Sequence, residues 1–354
     1  MVGRCWHSAS DNFHDNGDDM SMGEKIQTMT FGNKPRIIAG MSVVGKKEGE
    51  GPLGKYFDIV QYDPKFGEKT FEKGEANMFG RAISGAIRKA GLEPYDVDVL
   101  LAGDLLNQLV SSSYVARGLP MAYLGLYSAC STMTEALALG AALIDAGHFR
   151  RAACATGSHF ATAERQYRYP LEYGCQRPPY AQWTATAAGC SILSCEGPGP
   201  AITHATIGRV VDFGINDLNN MGAAMAVAAA DTIYTVFEDT GFDERDFDAI
   251  FTGDLGRLGA EIMRDLCRER GLELGQKYSD CGEMMYYRGQ NCYCGASGAG
   301  CSASVLNSYI LGRLNGGMYK RVLLLATGAL MSPTTSYQGE TIPSVSHGVI
   351  LEAE

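Results

Sequence analysis

Ser128-Ala129-Cys130-Ser131, a run dominated by Ala, Gly, Leu and Met, Arg150 and then Ala155-Thr156-Gly157 form a pattern that occurs twice in this chain. Its echo is Ala299-Gly300-Cys301-Ser302, a second small-residue run, Arg321 and Ala326-Thr327-Gly328, each match standing 171 residues further on. Upstream, Val99-Leu100-Leu101-Ala102-Gly103-Asp104-Leu105 returns as Ala249-Ile250-Phe251-Thr252-Gly253-Asp254-Leu255 at an offset of 150, so one half carries residues that the other lacks. A duplicated unit of this size predicts two similar α/β halves, and differences between the copies point to where chemistry or binding sits.

Around this repeat, Arg36 to Val44 reads as a strand, and Lys73 to Ala90 as an amphipathic helix stopped by Gly91. Val97 to Ala102 and Met121 to Tyr127 have strand character, with helical potential in Asn107 to Arg117 between them. Ser131 to Asp145 is too small and apolar for a surface helix and belongs at the centre of the molecule. Ala152 to Thr156 is the next strand, and Ser158 to Pro179 an irregular insertion. The second half has a strand from Ala201, helices at Ala223 to Asp239 and Ala260 to Arg270, and strands at Ala249 to Thr252 and Arg321 to Thr327. A closing strand follows His347-Gly348. The plan is βαβ-rich with mostly parallel sheets. It divides into a flexible extension at 1–28, a first half at 31–200 with an insertion at 157–180, and a second half at 201–354. Met20 or Met22 is an alternative start.

The 354 residues suffice for a large core, and 45% hydrophobic with 20% charged residues is a globular composition. A net charge of −10 gives nucleic acid or an anionic membrane no general electrostatic attraction. Eleven scattered cysteines without a secretory signal fit a reduced intracellular chain. Their spacing suits no zinc site, and neither metal nor cofactor is expected. No apolar run reaches the ~20 residues that span a bilayer.

The duplication, with a cysteine opening the buried helix, resembles the thiolase and β-ketoacyl synthase superfamily. That resemblance implies a five-layered α/β/α/β/α fold and a homodimer. Cys130 at a helix N-terminus lies at the positive end of the dipole, which favours thiolate, but the same position suits a small packing residue. Condensing enzymes of the superfamily pair this cysteine with a His and with an Asn or second His. Where those partners belong, this chain reads Thr252-Gly253-Asp254-Leu255 and Ala299-Gly300-Cys301, with neither residue type present. His347 and His159 are the histidines that can approach. Cys130 thus reads as a vestigial nucleophile in a pocket kept for binding, and a Cys-dependent acyltransferase of the β-ketoacyl synthase III type is the alternative.

The insertion is the second candidate site. If it is helical before Pro170, Arg165 and Arg168 share a face near Tyr167, Tyr169 and Tyr173, which suits a planar carboxylate-bearing ligand. The competing account is an Arg-rich turn tied down by pairs such as Glu164 with Arg168. Asp231 stands on a small, apolar helix as either a polar anchor near the pocket or a solvated edge residue.

Longer strings are more specific. Glu50-Gly51-Pro52-Leu53-Gly54, Leu101 to Gln108, Tyr114-Val115-Ala116-Arg117, Ala161 to Gln166 and Thr341-Ile342-Pro343 look like the stage V sporulation protein AD family, from about Phe31 onward. This resemblance implies a protein without turnover that binds dipicolinic acid (pyridine-2,6-dicarboxylate). It implies work with membrane proteins of the same operon at the spore inner membrane, moving the ligand, with its calcium, into the developing spore and out at germination. Cys130 and Asp231 match positions that the family is thought to use in its pocket. A flat dianion in an acidic protein needs concentrated donors: the amides at Cys130, Ser131 and Thr132, with Arg165, Arg168, His159 and His347 as supplements.

Overall fold

The two copies build two half-sheets that meet in the middle of the molecule. A computed structural model describes residues 26–167 and 177–353. The first half contributes β1 (Thr28–Thr30), β2 (Arg36–Gly45), β3 (Ile59–Gln61), β4 (Val99–Gly103), β5 (Ala122–Gly125), β6 (Arg151–Ser158), β7 (Trp183–Thr184) and β8 (Ala187–Ser194). Its helices are α1 (Lys46–Gly49), α2 (Phe71–Lys89), α3 (Val110–Ala116), α4 (Thr132–Asp145) and α5 (Phe160–Tyr167). The second half has strands β9 (Ala201–Ile207), β10 (Ala249–Thr252), β11 (Tyr278–Asp280), β12 (Ala296–Ser297), β13 (Arg321–Ala329) and β14 (Ser344–Glu352). Its helices are α6 (Met221–Thr240), α7 (Gly256–Glu269), α8 (Cys281–Met285), α9 (Ala299–Val305), α10 (Leu311–Asn315) and α11 (Pro333–Tyr337).

Strand order displays the duplication directly: β5-β4-β6-β8-β2 in one half-sheet, then β9-β14-β13-β10-β11 as its reflection in the other. The two half-sheets are joined at the single ladder pair Arg36↔Ala201. β4 runs parallel to β5 and β6, whereas β8 is antiparallel to β6 and β2; β10, β11, β13 and β14 repeat that arrangement. The sheets are therefore mixed rather than mostly parallel. The expectation missed β8 because Ala187-Ala188-Gly189-Cys190 shows neither β-branched residues nor alternation; both its faces are covered.

Between the half-sheets lie α4 and the helix running from α9 through a π-turn at Leu306–Ile310 into α10. α2 covers the outer face of the first half-sheet, and α6 with α7 that of the second. Most buried residues accordingly fall into a central cluster and two outer ones, giving the five layers α/β/α/β/α, with a small fourth cluster of Leu105, Cys130, Ala163 and Ala299. Small residues permit this close stacking: Gly189 lies against the backbone of Ala303, and a methyl there would collide with it.

Thr70 caps α2 by accepting the Lys73 N–H at 3.3 Å, and Gly91 at φ +70° ends it, close to the expected limits. The closing strand β14 starts at Ser344 and contains His347, which sequence reading put in a loop before it. Thr28, read as the end of a flexible extension, begins β1 and pairs with Thr206 of β9. Among the described residues, no helix is long and apolar enough to cross a membrane.

Candidate functional site

Cys130 sits in a tight turn, Ala129–Ser131, that leads into α4. Ala129 adopts a left-handed φ of 49°, an uncommon state for a residue with a Cβ, and the turn thereby presents Cys130 toward the second half. Gly328 of the repeated Ala-Thr-Gly triplet lies directly on the Ser128 carbonyl, where a side chain would clash. The triplet's glycine is thus explained by the packing of the turn.

Across from the thiol, the loop after β10 presents Asp254. The Cys130 Sγ–H is hydrogen bonded to its carboxyl, and the Gly298 N–H also reaches the sulfur. Asp254 accepts the Gly298 N–H at 2.9 Å through Oδ2 and the Thr327 hydroxyl at 2.9 Å through Oδ1. Burial pushes Asp254 up to about 7, against the pull of these donors. Burial, then the neighbouring Asp254 carboxyl, push the Cys130 thiol well above its ordinary range. Desolvation and an acidic neighbour thus act against the thiolate that a helix N-terminus favours. Cys301, the repeat of Cys130, is fully buried and directs its Sγ–H toward the Gly253 carbonyl at 3.5 Å.

The cavity at Cys130 is about 30 Å³, walled by Leu105, Ala163, Met221 and Met331 among others. That is room for roughly one water molecule and not for an aromatic ring. Ser131 and Thr132 spend their hydroxyls on the turn: Ser131 donates to the Ser128 carbonyl at 2.7 Å, and Thr132 to the Ala129 carbonyl at 2.7 Å. His347 does approach. Its Nδ1 accepts the Gly208 N–H at 3.2 Å, so Nε2–H donates to Ser128 Oγ at 3.2 Å, and burial lowers it to about 4, leaving a neutral imidazole.

Asp231 is elsewhere. On α6 it is gripped by Arg209 through two bonds of 2.9 and 2.6 Å, beside Phe213 and Arg270 in a separate cleft of about 570 Å³. A contact between Asp231 and the Cys130 cavity is not part of this structure.

A cavity of about 760 Å³ opens where α1, α5 and β7 converge. His159 and Arg165 line it with Lys46, Lys47, Phe71, Phe160 and Trp183. Phe160 stacks on Trp183 with centroids 4.0 Å apart and planes at 11°. Lys47 Nζ lies 4.4 Å over the Trp183 ring, and the Arg177 guanidinium 5.0 Å from it. Arg165 stands 5.4 Å over Phe71 and pairs with Glu72 at 3.2 Å. His159 is fully engaged, its Nδ1 accepting the Ala161 N–H and its Nε2–H donating to the Pro64 carbonyl at 2.7 Å. Burial lowers its pKa as well.

Sequence reading thus found one wall of this cleft and missed the other. Arg168 and the side chains of Tyr167, Tyr169 and Tyr173 lie outside the described residues. Glu164, proposed as a partner for Arg168, is bound by Arg177 at 2.9 Å. The signal for Lys46 and Lys47 was a lysine pair at a strand's end, and Trp183 is one of only two tryptophans in the chain.

These two half-sheets, the buried helices between them and the cysteine on its turn define the chain as a thiolase-fold protein. Human mitochondrial 3-ketoacyl-CoA thiolase is similar over 90% of this chain and 98% of its own, at a TM-score of 0.60 and 12% identity. The 3-oxoacyl-[acyl-carrier-protein] synthase III of Aquifex aeolicus VF5 matches 90% of this chain and 99% of its own, at 0.55 and 14%. Within that fold class, the family model described as stage V sporulation protein AD matches residues 25–352. Stage V sporulation protein AD of Bacillus subtilis (strain 168) is 45% identical over 327 residues, 92% of this chain and 96% of the relative. The chain belongs to the stage V sporulation protein AD family.

Proposed function

We propose that this chain serves sporulation by binding dipicolinate without turning it over, and that the ligand lies in the outer cleft rather than against Cys130. The observation that carries this reading is the cleft itself. Lysine and arginine cations stand beside a flat stack of Phe160 and Trp183 in about 760 Å³. A planar dianion meets there both a stacking surface and countercharge. The closed, acidic surroundings of Cys130 support the absence of condensing chemistry, because a thiol beside a carboxyl is a poor nucleophile. In this reading the protein holds dipicolinate, with its calcium, for membrane proteins of the spore inner membrane, in uptake during sporulation and release in germination. It acts as a homodimer.

Calorimetry with dipicolinate and with pyridine-2-carboxylate tests the reading. Binding of the dicarboxylate, weakened about tenfold or more by Trp183→Ala or Lys47→Ala and unchanged by Cys130→Ala, is the expected result. Equal binding of both ligands, or of neither, overturns it. The alternative reading is Cys-dependent acyl transfer, for which the thiol stands on the turn that leads into α4. Intact-mass detection of an acyl group on Cys130 after incubation with acyl-CoA would establish that activity.

A further inference from the structure

Arg81 and Arg88 leave α2 on the same side, because seven residues carry an α-helix through almost two whole turns. Their Cα atoms are therefore about 10.5 Å apart along one line, and Asn77 and Ser84 lie close to that line. All four border a groove of about 530 Å³ between α2 and the sheet, with Met41 of β2 and Ile59 of β3 in its lining. Gly85 leaves the space that the Met41 side chain fills.

Neighbouring polar groups on this face are engaged within the chain. Lys89 donates to Asp58 Oδ1 at 2.5 Å and to the Gly40 carbonyl at 3.0 Å, and Asn77 donates to Glu68 at 3.1 Å. Among the described residues, no carboxylate pairs with Arg81 or Arg88, and both are exposed. From Ala76 to Lys89 the helix carries three cations and no acid, in a chain whose net charge is −10. The helix dipole accounts for Arg88 and Lys89 in the last turn, but not for Arg81 two turns earlier.

We propose that this groove docks an acidic helix of a protein partner, one that carries two carboxylates seven residues apart and a large apolar residue between them. The two carboxylates match the spacing of Arg81 and Arg88 and pair with their guanidinium groups. The apolar side chain between them seats over Met41 and Ile59, as the anchor of a helix in a groove does. Gly80 and Ser84 keep the rim of α2 low enough for a second helix to lie along it. The acidic remainder of the surface repels such a helix and so confines it to this stripe.

The probe is a fluorescent Ala-rich helical peptide of about 18 residues with Glu at two positions seven apart and Leu between them; its control has Lys at those two positions. Anisotropy is followed as each is titrated with the full chain, as wild type, as Arg81→Glu with Arg88→Glu, and as Arg81→Gln with Arg88→Gln. Wild type is expected to bind the acidic peptide and not the basic one, with affinity falling as salt rises. The Glu variant should lose the acidic peptide by about tenfold or more and gain the basic one, and the Gln variant should lose the first without gaining the second. Failure of wild type to bind the acidic peptide, equal binding of both peptides, or unchanged preference in the Glu variant overturns the proposal. Two other outcomes overturn it by naming another occupant. Wild type that binds phosphatidylglycerol vesicles and loses them in the Glu variant makes the stripe a lipid contact, and a wild-type dimer that the Glu variant breaks makes it a contact between copies.

Discussion

Asp254 holds its proton at pH values where an ordinary aspartate has lost it, and that makes it the residue to perturb. Its folded pKa of about 7 lies above the roughly 3.9 of an unfolded chain. Below about pH 4 the group is protonated in both states and costs nothing. Between about pH 4 and 7 the unfolded chain releases the proton and the folded one keeps it, so stability falls with rising pH, by at most about 4 kcal/mol. Above 7 the penalty is constant. Asp254→Asn removes the titration while retaining a carbonyl acceptor for the Gly298 N–H or the Thr327 hydroxyl. Urea unfolding of both proteins across that range should show the variant gaining on wild type as pH rises; a constant difference would refute the assignment. The absence of His and Asn from this position was legible in the sequence. That an aspartic acid would face the thiol was not, because Asp104 occupies the repeated position and lies in a different setting, accepting Ser112 and Leu106.

At the scale of elements, α5 and β7 carry half of the outer cleft and are clamped by one buried ion pair. Arg177, 9% exposed in its side chain, meets the fully buried Glu164 at 2.9 Å and also donates to the Gln182 carbonyl. Breaking one side of such a pair costs about 3–5 kcal/mol, whereas replacing both sides with apolar groups is often neutral. Arg177→Met is therefore expected to destabilise the chain by several times more than the double change Arg177→Met with Glu164→Met. Denaturant midpoints measure this, and equal losses in the two would show that the pair does not clamp α5. Elements of this kind are where sequence reading faded. α2 was legible because its apolar residues repeat with a helix period over a long run, α4 because its residues are small and apolar throughout, and β10 because it repeats β4. α5 and β7 are short, and their partners come from distant segments: Lys47 lies over Trp183, and the Gly295 carbonyl accepts the Trp183 N–H. His347 was read as a loop residue because glycine follows it, yet Gly348 pairs with Leu325 inside the sheet.

Across the whole molecule, the reflected half-sheets are alike in topology but unlike at their ends. β11, at one end, is buried, with Tyr278 8% and Asp280 1% exposed, beneath α7 and α8. β5, at the other, leaves Ala122, Leu124 and Gly125 in solvent, and Tyr114 and Tyr127 are exposed nearby. An open strand edge with apolar neighbours is a template for pairing, and proteins that stay single cover or charge such edges. No charged residue occupies β5. We expect the proposed homodimer to join through β5, strand to strand, in one continuous sheet of two first halves. Leu124→Lys puts a charge on that edge while leaving the ladder to β4, to which Ala122 and Leu126 donate, in place. Sedimentation velocity should show wild type as a dimer and Leu124→Lys shifted toward monomer, with the fold retained by circular dichroism. A wild type that sediments as a monomer at micromolar concentration would reject the dimer, and a variant that stays dimeric would move the interface to another face.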